Sequence, residues 1–143
     1  MDYFGINKVS RVGRLSKIRG GMASIKTFKE LKVWQEAHTL LLQIYKQTND
    51  YPKHELFSLT SQTRRSCHSV PTNIVEGFRR KDIKESVRFY NIADASLEEL
   101  KYHLLVAKDL RYVPCEQYEI HLKQCEIVGS MLTRWIQSQR KYV

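Results

Sequence analysis

The feature that most constrains the fold is a set of four apolar stripes with helical spacing. Within each stripe, apolar residues recur every three or four positions, which is the pattern of an amphipathic α-helix with one face in a core. The stripes extend over roughly residues 31–48, 55–78, 83–110 and 114–139. Helices of this length measure about 30 Å, and no strand pattern competes with them.

Short joints separate the stripes, at residues 50–54, 79–81 and 111–113. Joints this short require consecutive helices to run antiparallel. The sequence therefore predicts an all-α domain, an antiparallel up-down-up-down four-helix bundle, over residues 25–143.

Local signals mark the helix ends. Thr27-Phe28-Lys29-Glu30 and Asp82-Ile83-Lys84-Glu85 each fit a capping box, in which a side chain that accepts a backbone N–H precedes a glutamate by three residues. Pro52 ends the first helix, and Pro114 suits the first turn of the fourth.

Pro71 falls inside the second helix, where proline normally costs about 3 kcal/mol and kinks the backbone. Ser66 and Ser69 are expected to bond carbonyls that the kink frees. A helix broken into two at Pro71 is the alternative.

Positive charge is unevenly distributed along this chain, whose net charge is +9. Residues 1–26 hold six basic side chains and one acidic one, whereas residues 27–143 hold 18 and 14. Residues 1–24 lack any period and contain four of the six glycines, so we predict a disordered basic arm, with Met22 as an alternative start. Such an arm suits polyanionic partners without identifying one.

Several classes of protein are disfavoured. The longest apolar run is Leu40-Leu41-Leu42, too short to cross a membrane, and the first 24 residues lack the apolar core of a secretory signal. Three widely separated cysteines indicate reduced thiols. A cytoplasmic protein is expected.

No pattern indicates catalysis or metal binding. A di-iron bundle needs Glu-x-x-His, but Glu99 and His103 are four apart, and the histidines His38, His68 and His121 have no companions at metal spacing. Cys67 and His68 are neighbours on a helix and point about 100° apart. No glycine-rich phosphate loop occurs. We expect a non-enzymatic protein with no catalytic residues, metal or cofactor.

A polar stripe on the second helix borders the core, roughly 110° round from the apolar stripe. It consists of Gln62, Arg65, Ser66, Ser69, Asn73, Glu76 and Arg80. It is suited to a ligand, to a subunit contact, or to a hydrogen-bonded network with Ser96 and Glu99 of the third helix. A purely structural role, capping kinked backbone and pairing buried charges, is equally open.

Basic residues cluster where the second helix meets the third. They are Arg79, Arg80, Lys81, Lys84 and Arg88, with Arg64 and Arg65 earlier on the second helix. Guanidinium groups suit phosphate oxygens, although charge alone favours an ordinary solvated turn. No recognition helix, RNA-binding sheet or aromatic stacking platform is evident beside the cluster.

Apolar residues also lie off the main stripes of the third and fourth helices. They are Ile92, Val106 and Leu110 on the third helix, and Ile120, Ile127 and Met131 on the fourth. A second partial stripe indicates a subunit interface, whereas scattered surface hydrophobes are the alternative.

Three motifs resemble a known family. They are Phe28-x-x-Leu31-x-Val33-Trp34-Gln35, the stretch Tyr51-Pro52-x-x-Glu55-x-Phe57-x-Leu59-x-x-Gln62-x-Arg64-Arg65-x-x-x-Ser69-Val70-Pro71-x-Asn73-Ile74-Val75-Glu76-Gly77, and Phe89-x-x-Ile92-Ala93-x-x-Ser96-x-x-Glu99. Over about residues 25–137 the chain resembles the bacterial proteins encoded in intervening sequences of 23S rRNA genes. The fourth helix matches only in its pattern, and the arm lies outside the resemblance.

The resemblance implies a four-helix bundle, a tendency to form rings, pentamers in particular, and no established catalytic activity. A related branch of the fold serves reverse transcriptases of diversity-generating retroelements as an RNA-binding accessory subunit. The leading hypothesis is therefore a homo-oligomer that binds RNA. The alternative is a protein-interaction scaffold, or an accessory subunit that does not itself bind RNA.

Specific residues carry this hypothesis. The predicted phosphate contacts are Arg64, Arg79, Arg80, Lys81, Lys84 and Arg88. The predicted structural or interface residues are Gln62, Arg65, Ser69, Pro71, Asn73, Glu76, Gly77, Ser96 and Glu99.

Overall fold

A computed structural model describes residues 24–143 as four long helices and two short 3-10 turns. The helices are α1 (Lys32–Thr48), α2 (Leu59–Arg79), α3 (Ile83–Asp109) and α4 (Cys115–Arg140), and the turns are Phe28–Glu30 and Lys53–Glu55. No strand occurs within this range, so the predicted all-α class is confirmed. The predicted arm, except for Ser24, and the alternative start at Met22 lie outside the described residues.

α3 is the central packing element of the domain. It contacts both α2 and α4, while α1 packs against α2 and α4 on the other side. Tyr90, Leu97, Leu100 and Leu104 of α3 are at most 1% exposed. Burying each such side chain contributes on the order of 1.5–3 kcal/mol, so α3 anchors the core.

Contacts between neighbouring helices pair residues in reverse order along the chain. Between α2 and α3 they join Ser69 with Ser96 and Gly77 with Tyr90, and between α3 and α4 they join Tyr90 with Trp135 and Lys108 with Tyr118. This order agrees with the predicted antiparallel neighbours. For α1 the direction stays a prediction.

Both capping signals act at helix starts, but in different ways. The Glu30 carboxylate accepts the backbone N–H groups of Lys26 and Thr27, at 2.6 and 2.7 Å, and so closes a 3-10 turn before α1. Asp82 is the N-cap of α3, and its carboxylate accepts the N–H of Lys84 at 3.3 Å.

The predicted start of α2 at Glu55 was wrong, because the helix begins at Leu59. The Glu55 carboxylate accepts hydrogen bonds from the Ser58 hydroxyl at 2.5 Å and the Leu59 N–H at 3.1 Å, so this side chain caps the helix from outside it. Leu56, which falls within the predicted second stripe at residues 55–78, consequently lies outside the helix and is 49% exposed.

α2 is continuous through the buried Pro71, so the alternative of a helix broken into two is wrong. The serine bonds predicted for this site were wrong. Ser66 donates to the Thr63 carbonyl at 3.0 Å, and the Ser69 hydroxyl bonds that of Ser96 at 2.8 Å.

The three thiols differ sharply in accessibility. Burial raises the pKa of Cys67 and of Cys125 to about 12, whereas Cys115 is exposed at the first residue of α4. Because the thiolate is the reactive form, we expect only Cys115 to react with a disulfide reagent at mildly alkaline pH. Counting released chromophore before and after denaturation checks this. Fast reaction of a second thiol in the folded protein would contradict the packing described.

Candidate nucleic-acid interface

Four exposed cations surround the turn between α2 and α3, and we call them the basic joint. They are Arg79, Lys81, Lys84 and Arg88. Lys84 and Arg88 lie four residues apart, on one face of α3. Of the five ion pairs found in residues 24–143, none involves a member of the basic joint. Its positive charge is therefore open to solvent and to an anionic partner.

Arg80 differs from its neighbours because the protein itself holds its guanidinium. Its Nη2 donates to the Glu76 carboxylate at 2.8 Å, and its Cζ lies 4.6 Å from the centre of the Phe89 ring. Glu76 offsets part of its charge, and the ring contact ties the end of α2 to α3. The structure thus places Arg80 beside the basic joint as an organising residue, and its phosphate contact stays a prediction.

Arg64 lies far from the basic joint, although the sequence grouped them. It precedes Arg79 by fifteen residues on one helix, a distance of about 22 Å along the axis. Its Nε donates to the Thr48 hydroxyl at 2.8 Å and its Nη2 to the Asn49 side-chain oxygen at 2.9 Å, and its Cζ lies 4.9 Å from the centre of the Tyr45 ring. Arg64 therefore belongs to the corner between α1 and α2.

Part of the polar stripe forms a hydrogen-bonded network between α2 and α3. The Asn73 side-chain amide donates to the Ser69 carbonyl at 2.8 Å and to the Ser69 hydroxyl at 2.9 Å. The Ser69 hydroxyl in turn bonds that of Ser96 at 2.8 Å. A network with Ser96 was one of the alternatives for the stripe, and these bonds satisfy half-buried polar groups along the seam.

Other members of the stripe lie outside this network. Glu99 was expected in it, but its carboxylate lies 3.2 Å from Nε2 of His103, one turn along the same helix. Gln62 and Arg65 are exposed on α2. Gly77 is buried where α2 approaches the Tyr90 ring, so its role is one of close packing.

An exposed groove at the α1–α2 corner was missed by the sequence interpretation, and we call it the aromatic groove. Its lining includes Tyr45, Phe57, Ser61, Arg64, Arg65 and His68. Phe57 is 92% exposed. The available signal was an aromatic residue off the apolar stripe, followed shortly by two arginines. Tyr45 and Phe57 thus lie beside Arg64, a juxtaposition that was not predicted from the sequence.

The histidines have separate surroundings. His121 is buried, burial lowers its pKa, and its Nε2 lies 3.2 Å from the Gln117 amide nitrogen. His38 stacks on Trp34 with ring centres 4.9 Å apart, and His68 is exposed.

Over the described range, no three His, Cys, Asp or Glu side chains gather as a metal site would require. Nor does any helix of that range have the length and apolar character needed to cross a bilayer.

These features define an all-helical four-helix protein whose α2–α3 turn presents exposed positive charge. The family model described as 23S rRNA-intervening sequence protein matches residues 29–134, and the chain belongs to that family. The match confirms the resemblance seen in the three motifs and includes most of α4. A comparison with curated proteins found no match.

Proposed function

We propose that this protein is a homo-oligomer that binds RNA through the basic joint. The observation that carries the proposal is the exposure of Arg79, Lys81, Lys84 and Arg88 beside one turn, outside the ion pairs of the described chain. Arginine and lysine at such a site bind phosphate oxygens and release counterions from the nucleic acid.

Assembly would strengthen a site of this size. Each chain offers four exposed cations at this turn, and several copies that engage one RNA act together through effective concentration. Four of the six apolar residues off the main stripes support assembly, since Ile92, Leu110, Ile120 and Ile127 are between 40% and 53% exposed. Val106 and Met131 are half-buried, and Met131 packs against the core. Exposed apolar surface of this kind is typical of subunit contacts.

Titration of a structured RNA at several salt concentrations tests RNA binding. We expect the affinity to fall steeply with salt, by about 0.9 in log–log slope for each duplex phosphate engaged. Light scattering on the same preparation is expected to give the mass of an oligomer. Absence of binding at low salt, or an affinity that salt does not change, would remove the RNA proposal, and a monomer mass would remove the assembly.

A second candidate function is a scaffold for another polypeptide, as in an accessory subunit. The exposed isoleucines and Leu110 of α3 and α4 favour it, because they offer apolar surface without needing nucleic acid. A partner that stays bound after nuclease treatment, from a protein with no RNA affinity, would support this second candidate over the first.

A further inference from the structure

We infer that the aromatic groove binds an unpaired segment of RNA, with one base stacked on Phe57. The inference rests on the proposed RNA binding and adds to it the class of RNA and a second contact region. The groove and the basic joint lie about 22 Å apart along α2, by helical rise, so they would contact different parts of one RNA.

Phe57 is presented to solvent by a turn that is held in place. The Glu55 carboxylate receives hydrogen bonds from Ser58 and Leu59 on one oxygen, and from the Tyr112 hydroxyl at 3.0 Å on the other. The last of these bonds ties the α1–α2 joint to the α3–α4 joint. The Phe57 ring is 92% exposed on an anchored turn, so it is a preformed surface for stacking. Because the turn is already ordered, binding a base costs little conformational entropy.

The charge around the ring suits a phosphodiester chain. Arg64, Arg65 and His68 line the groove, and its lining includes no aspartate or glutamate. Arg64 is held at the groove by Thr48 and Asn49, with its guanidinium over the Tyr45 ring. Aromatic faces next to a cationic track are the combination with which proteins bind unpaired nucleic acid without sequence preference.

Charge also distinguishes RNA from a second copy of the chain as the occupant. Residues 27–143 hold 18 basic and 14 acidic side chains, so a neighbouring copy brings a small excess of like charge to a groove that contains two arginines. Unpaired RNA brings negative charge together with flat apolar bases. Complementarity of both kinds therefore favours RNA.

The experiment compares Phe57→Ala with Tyr102→Ala, a matched removal of an exposed aromatic side chain that lies on α3 outside the groove. Each protein is titrated with oligouridine, which is unpaired, and with a blunt RNA duplex. We expect Phe57→Ala to weaken oligouridine binding roughly 5- to 150-fold, the effect of losing one stacked base, with duplex affinity unchanged. Phe57→Tyr should bind oligouridine as the natural protein does, and Tyr102→Ala should bind both ligands normally.

Each other outcome overturns the inference in a distinct way. If Phe57→Ala binds both RNAs normally, or if its affinity for both falls equally, the groove does not bind unpaired RNA selectively, although the proposed function survives. If it lowers the particle mass while RNA affinity stays unchanged, the occupant is a second copy. If the natural protein binds neither RNA at low salt, the proposed function fails together with the inference. Photo-crosslinking of oligouridine gives an independent readout, since adducts are expected on the peptide that contains Phe57.

Discussion

Replacing Gly77 by alanine is expected to destabilise the protein by about 2–3 kcal/mol, near the upper end of the usual cost of overpacking. An added Cβ would lie 2.5 Å from Cε1 and 2.8 Å from Cδ1 of Tyr90, and 3.0 Å from the Ser86 carbonyl oxygen. Tyr90 is fully buried, so its ring cannot move aside without disturbing the α2–α3 contact. The higher helix propensity of alanine, worth about 1 kcal/mol, offsets only part of the cost.

Gly129→Ala is the matched control for this substitution. The added Cβ there would meet only Cδ2 of Leu97, at 3.3 Å, which a shift of a few tenths of an ångström relieves. We expect its stability to range from unchanged to about 1 kcal/mol higher, because alanine is the better helix former. Urea unfolding followed by circular dichroism at one protein concentration measures both variants. A Gly77→Ala protein as stable as the natural one would show that the two helices do not meet as described.

The second large effect concerns the basic joint itself. Neutralising all four members, as Arg79→Gln, Lys81→Gln, Lys84→Gln and Arg88→Gln together, should reduce the log–log salt slope for duplex RNA by about 3.6 if each engages one phosphate. At a salt concentration near 0.1 M, relative to equal affinities at 1 M, this corresponds to a loss of affinity of roughly three to four orders of magnitude. Fluorescence anisotropy across a salt series measures both quantities. The side chains are exposed, so the fold should be retained.

A control variant with the same change in net charge distinguishes RNA binding at the basic joint from a response to the overall charge of the protein. Lys46, Arg111, Lys123 and Arg134 are exposed and lie outside both the basic joint and the aromatic groove. Their joint replacement by glutamine should leave most of the affinity in place. Equal losses from the two fourfold variants would mean that RNA responds to overall charge, and the proposed interface would be withdrawn.

Helix boundaries were predictable where a capping side chain or a proline marks the helix end. Asp82 caps α3 as predicted, and Pro114, predicted in the first turn of α4, is the residue that directly precedes it. The start of α2 was not, because Glu55 fits the first turn of a helix as well as it fits the cap that lies outside it. Hydrogen bonds to Ser58 and Leu59 decide between the two, and periodicity alone does not reveal them.

The sequence identified candidate site residues by type, but it did not place all of them correctly in the fold. Helical spacing allowed the Ser69–Asn73–Ser96 network as one alternative, and Ser69 and Asn73 are the stripe residues that meet Ser96 of α3. Arg64 was grouped with the basic joint by charge, yet its position along α2 places it at the other corner. Glu99 was assigned across the seam, but a histidine four residues away on its own helix is a closer partner.

The single accessible thiol offers a way to compare ring sizes without substituting any residue. A spin label on Cys115 would put one probe on each chain at the start of α4, while Cys67 and Cys125 stay unlabelled in the interior. In a closed ring of identical copies, the number of different label-to-label separations depends on the number of members. A dimer or trimer gives one separation, whereas a tetramer or pentamer gives two. Pulsed electron resonance on the labelled protein would therefore distinguish small rings from larger ones by the number of separations observed.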